Sequence, residues 1–129
     1  MNLTLFAAGN AVIEHGGVDF SMKEGFLLKE NAGGLAVNDS ATVPARAVCL
    51  DGQRADTTSS VVPLDCVPAP IRLKAGGIIT KFNRIAQKND GTVIADAGSG
   101  ARVIVGTALE SAVAGDLFLA TLHAPQIAS

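Results

Sequence analysis

The chain has no tryptophan and no tyrosine, and its aromatics amount to five phenylalanines. Carbohydrate-binding and base-stacking surfaces are usually built on exposed aromatic rings, so their scarcity argues against both. Charged residues make up only 17% of the chain, and the net charge of −2 comes with lysines and arginines scattered singly. A nucleic-acid binder concentrates basic residues on one face, and no basic run exists here. Two histidines, His15 and His123, stand far apart, and with Cys49 and Cys66 they lack zinc-ligand spacing. Two cysteines are too few for a disulfide-dense scaffold. A 49–66 bridge and two reduced thiols both remain open, the thiols being the reading for a protein made in a reducing cytoplasm. No uninterrupted apolar run reaches the ~20 residues of a membrane span, because Glu110 and Asp116 break the most apolar window, 103–122. The N-terminus has no Lys or Arg ahead of its short apolar run, so it makes a poor signal peptide.

What the chain does hold is small and aliphatic. Hydrophobic residues are 48% of it, with fourteen glycines, so the core must be built from Ala, Val, Leu and Ile. A chain of 129 residues buries enough surface to fold without disulfides or metals. So many apolar residues with so few charges fit an Ala-rich fold or a partner that covers apolar surface.

The patterning is that of strands. In 1–8, MNLTLFAA, Leu3 and Leu5 share one face of an extended segment with Phe6 beside them. This piece reads as a first strand or as an arm that adds a strand to a partner. Period-two alternation marks a strand within 18–28, and a turn falls at Asn31-Ala32-Gly33-Gly34. A strand over 45–50 ends at Asp51-Gly52. Residues 53–60 are polar and read as an exposed loop, and 61–70, with three prolines in 63–70, as an extended connector. Strands follow over 71–75, 78–87, 92–95 and 101–108, where Gly106 marks a bulge or a close-packing point. Lys88-Asn89-Asp90-Gly91 is the clearest hairpin signal. Residues 110–114 read as one helical turn or a loop, 117–122 as a closing strand, and 124–129 as a tail. Asn31-x-Gly33-x-Leu35-x-x-Asn38 lines up with Asn89-x-Gly91-x-Val93-x-x-Asp96 at an offset of 58. The echo fits two related β units, and it fits equally the small vocabulary shared by turns. A 9–129 domain follows an arm at 1–8, with 9–62 and 71–122 as two β sub-units joined by 63–70. The expected fold is mainly β, a compact β-sandwich or β-barrel-like domain with little helix.

No catalytic pattern emerges. The acidic residues sit beside Gly, Thr or Ala in turn-like settings, Gly98-Ser99-Gly100 is not a nucleophile elbow, and no phosphate-binding glycine motif is present. The chain therefore reads as a non-enzyme without metal or cofactor.

The stretch 71–122 resembles the tailed-bacteriophage capsid cement, or head decoration, family. The resemblance rests on Asn89-Asp90-Gly91-Thr92-Val93, then Gly106-Thr107-Ala108-Leu109-Glu110, then Ala114-Gly115-Asp116 and the apolar 117–122. It implies a β-tulip-like domain that trimerises on the outer surface of the head and binds the major capsid protein, with no nucleic-acid or membrane partner. Leu3, Leu5, Phe6, Phe82 and Phe118 are the expected capsid or trimer contacts. The alternative is a β-sandwich binding module of a surface appendage that meets carbohydrate or a receptor. A small enzyme subunit would instead need His15 or His123 beside an acidic partner at a subunit boundary.

Overall fold

A computed structural model describes residues 4–5, 12–15, 23–31, 34–50, 58–64 and 70–129. The chain is mainly β, as its patterning predicts. In chain order the strands are β1 (Thr4–Leu5), β2 (Val12–His15), β3 (Leu27–Asn31), β4 (Gly34–Val37), β5 (Ala47–Cys49) and β6 (Thr58–Pro63). They continue with β7 (Ile71–Lys74), β8 (Arg84–Gln87), β9 (Val93–Ala95), β10 (Arg102–Ala108) and β11 (Leu117–Ala128). One sheet runs β1-β2-β6-β5-β3-β4 and the other β7-β11-β10-β8-β9, with antiparallel neighbours throughout.

The second sheet shows how local chemistry sets the strands. β10 lies between β11 and β8, so both of its edges carry ladder bonds and its apolar run Val103, Ile104 and Val105 is fully buried. Its register shifts between Ile104 and Gly106. A Cβ at Gly106 would stand 1.9 Å from the Thr121 carbonyl oxygen, so only glycine lets β11 approach there. The Asn-Asp-Gly signal closes the β8–β9 hairpin. Asp90 Oδ1 accepts from the Thr92 amide and hydroxyl, and Gly91 takes φ +86°.

Three expectations about strands need correction. The strand expected over 78–87 is only Arg84–Gln87, because 78–83 forms a bridge from Ile79 to Ala112 and then a tight turn. The tail at 124–129 is instead the far half of β11, which runs to Ala128. Pro125 is tolerated because it falls where the ladder jumps from the Ile104–Gln126 pair to the Gly106–Leu122 pair. At that bulge its missing N–H takes no bond from the sheet. The polar loop and connector expected over 53–70 contain β6, which pairs with β2 on one side and β5 on the other. Two flanking ladders and the β-branched Thr58, Val61 and Val62 outweigh the polar composition, and Pro63 sits at the strand's end.

The two sheets repeat one topology. The strands β2, β6, β5, β3 and β4 follow the same order as β7, β11, β10, β8 and β9. Register agrees as well. Leu27 opposes Val48 and Ile85 opposes Gly106, both partners shifted by 58 residues. The sequence echo lies at that same offset.

The two units share one core. Leu27, Ala45, Val48 and Leu64 from the first pack with Leu73, Ile79, Ile85, Val103, Val105, Phe118 and their neighbours from the second. A smaller cluster of Leu28, Leu35, Ala47 and Cys49 lies on the other side of β3 and β5. Successive residues of β3, Leu27 and Leu28, thus enter different clusters.

Candidate interaction surface

The residues 78–83 and 108–113 run side by side at one end of the second unit. Ile79 and Ala112 exchange two backbone hydrogen bonds of 2.9 Å. Both side chains point inward, at 1% and 7% exposure. Their chain neighbours Ile78 and Val113 therefore point outward together, opposite each other across the bridge. They are 78% and 56% exposed.

Phe82 completes the strip. The Asn83 amide donates to the Thr80 carbonyl at 2.9 Å, closing a tight turn, and Asn83 Oδ1 accepts from the Thr80 amide at 2.9 Å. The Phe82 amide donates to the Ala108 carbonyl at 2.8 Å, and Ser111 Oγ accepts from the Lys81 amide at 3.0 Å. Within this frame Phe82 takes φ +73°, the single positive value among described non-glycine residues. A bulky side chain there costs about 1–2 kcal/mol. Its ring is 68% exposed, with the Lys81 ammonium 5.1 Å from the ring centre. The turn thus holds an aromatic ring in solvent beside two exposed aliphatic side chains, at a cost in backbone strain.

Of the expected contact residues, Phe82 is on this surface. Phe118 is 1% exposed in the shared core, so its ring packs the fold and offers a partner nothing. Leu5 belongs to β1, which pairs with β2 through Thr4–Ile13 and Leu5–Val12. Leu3 and Phe6 lie outside the described residues, as does Cys66, while Cys49 is buried. Ile78 and Val113 went unread because alternation placed Ile78 on a strand face and Val113 sits among small residues. The bridge from Ile79 to Ala112, which turns both outward, has no local sequence signal.

Two polar features shape the remaining surface. An open cleft of about 340 Å³ is lined by Lys29, Glu30, Asn38, Asp39, Val43 and Arg46 among others. The Lys29 ammonium, 2.9 Å from Asp39, holds that carboxyl below its ordinary range through its hydrogen bond. Arg46 stands 3.6 Å from Glu30. Such solvent-facing pairs are screened by water and add little to stability, and they form no catalytic arrangement. At the other feature, Asp96 accepts from the Gly98 amide at 3.1 Å and from Arg102 Nε, and Arg102 Nη1 donates to the Gly100 carbonyl at 3.0 Å. The Gly98 amide, and then Arg102, outweigh partial burial and lower the Asp96 pKa. This pair folds the glycine loop between β9 and β10. His123 is exposed, its Nδ1 2.8 Å from the Ala124 carbonyl. Among the described residues no group of three or more His, Cys, Asp or Glu is placed to hold a metal, and no helix is long and apolar enough to cross a membrane.

Sequence reasoning also missed Gln87. It is 2% exposed, and its amide accepts from the Ala45 amide at 2.7 Å and donates to the Ser40 and Val43 carbonyls at 3.1 and 2.9 Å. One side chain of the second unit thereby satisfies three backbone groups of the first.

No family model matches the chain, and no curated protein matches its sequence. Among solved structures it is similar to the N base of the head fiber gp8.5 of bacteriophage phi29. The TM-score is 0.61 at 19% identity, over 87% of this chain and 92% of that one. The likeness shows a shared fold.

Proposed function

We propose that the chain is a structural protein of a tailed-phage virion, bound as a homotrimer to the outside of the head through the major capsid protein. The observation that carries this reading is the fold shared along nearly the full length of both chains with a head-fiber base. It agrees with the resemblance of 71–122 to head decoration proteins, which rests on separate evidence. The exposed Ile78, Phe82 and Val113 and the low charge content suit a protein whose apolar surface is covered after assembly.

The work such a protein does is mass-action stabilisation. A ligand that binds the assembled lattice and not the free subunit stabilises it by about 2.7 kcal/mol per site at 100 times its dissociation constant. A trimer joins several modest contacts into one strong attachment. The β1 end of the chain, with Leu3, Leu5 and Phe6, would add backbone pairing to a capsid sheet edge.

The fiber-base likeness favours a second role for the same attachment, that of an anchor for a longer appendage. Heating heads with and without the bound protein separates the two. A cement raises the rupture temperature of the head, whereas an anchor binds and leaves it unchanged. Failure to bind heads, together with saturable binding to a glycan, would select the binding-module alternative.

A further inference from the structure

The turn before β3 and the turn before β8 are one structure built twice. In the first, the Phe26 amide donates to the Lys23 carbonyl at 3.0 Å, the Gly25 amide to Cys49, and the Cys49 amide to Phe26. In the second, the Asn83 amide donates to Thr80, the Phe82 amide to Ala108, and the Ala108 amide to Asn83. Both carry a positive φ at the matching position, +81° at Gly25 and +73° at Phe82.

Their surroundings differ. The first turn is covered by the second unit. The Gly25 carbonyl accepts from the Lys74 amide at 3.1 Å. Gly25 lies so close to β7 and β11 that a Cβ there would meet the Lys74 nitrogen and Leu117 Cδ2 at 2.8 Å. Among the described residues no such unit covers the second turn, and Phe82, Ile78 and Val113 stand exposed there.

We infer that this strip docks on the first unit of a second copy of the chain, head to tail, so that the contact joining the two units within a chain is repeated between chains. The inference rests on the homotrimer reading and names its surface. A five-stranded unit of this topology is what covers the first turn, and a second copy supplies another. The matching acceptor region is the end of β2 at His15 and the start of β6 at Thr58, which pair as Leu73 and Phe118 do in the second unit. Among the described residues, β1 pairs with Val12 and Ile13 of β2. The contact cannot be an exact copy. Phe82 has a side chain where Gly25 has none, so the ring, flanked by Ile78 and Val113, takes the place of the close backbone approach. Such a heterologous contact closes into a ring or runs on as a filament, and closure at three copies gives the proposed trimer.

The test is sedimentation equilibrium of the full chain beside Phe82→Gly and the double variant Ile78→Ser with Val113→Ser. Phe82→Gly also relieves the strained φ, so its melting temperature should hold or rise while association weakens. The expected result is at least a tenfold rise in the self-dissociation constant for both variants, with unchanged far-ultraviolet dichroism. Cross-linking of isotope-mixed samples should join Lys81 of one copy to Lys23 of another, since the β5 and β6 registers set residue 23 at the His15 and Thr58 end of the first sheet. An oligomer that both variants form as tightly as the wild type, or one cross-linked Lys81 to Lys81, overturns the strip as the interface and leaves the trimer itself standing. A wild-type chain that stays monomeric overturns both.

Discussion

The turns at 23–26 and 80–83 share a hydrogen-bond pattern and a backbone conformation, yet one carries glycine at its strained position and the other phenylalanine. The first faces a neighbouring unit at van der Waals distance, where any side chain would collide with backbone. The second faces solvent, so space does not forbid a side chain and the penalty is conformational alone. Equivalent local structure therefore carries opposite chemistry according to what lies outside it: closeness selects glycine at the covered turn, and the open turn bears an apolar ring at a cost in strain.

That contrast can be broken most severely at Gly106, on the β10–β11 ladder whose Val103, Val105 and Phe118 enter the core shared by both units. Gly106→Val should destabilise by more than about 4 kcal/mol, since its Cβ would meet the Thr121 carbonyl, and the chain should fail to give a cooperative urea transition. Next comes the covered turn. Gly25→Ala combines a positive φ with a collision against Lys74 and should cost about 2–4 kcal/mol by urea denaturation. Gln87→Leu leaves the Ala45 amide and the Val43 carbonyl without their buried partner, while the Ser40 carbonyl keeps its bond from Asn38 Nδ2, and should lower stability by about 2–3 kcal/mol.

A pH titration of stability sharpens the picture at the loop between β9 and β10. The folded-state pKa of Asp96 is depressed, so its contribution is present above the ordinary carboxylate range near 3.8 and is lost as pH falls through the lower folded value. Asp96→Asn should remove that acid-side loss and cost about 1–2 kcal/mol at neutral pH. The smallest effect is at the open turn. Phe82→Gly should change monomer stability by about +1 kcal/mol, opposite in sign to Gly25→Ala at the matching position. A loss at Phe82→Gly comparable to that at Gly25→Ala would erase the contrast.

The sequence made much of the second unit legible because its signals are local. Asn89-Asp90-Gly91 specifies a hairpin through its own side chains, and Gly106 announces a close approach. The strand β6 was hidden because Thr58, Ser59 and Ser60 are polar, and only the ladders to β2 and β5 make them a central strand. Half of β11 was hidden behind Pro125, which a bulge accommodates. The surface strip was half legible. Phe82 is among the contacts expected with the family resemblance, whereas Ile78 and Val113 join it only through the bridge at Ile79 and Ala112. Phe118 looked equally apolar but sits where β11 faces the shared core, and no local signal tells a buried phenylalanine from an exposed one. The repeat left only a short sequence echo because strand order and register hold the topology, which leaves side chains free to differ between the units.

The measurement that bears most directly on the head-associated reading is co-sedimentation of the purified full chain with emptied phage heads, with the chain's mass in solution taken by light scattering beforehand. The account predicts a species of three chains that pellets with the heads and saturates at a fixed ratio to the major capsid protein. A monomer that remains in the supernatant at every concentration would contradict it.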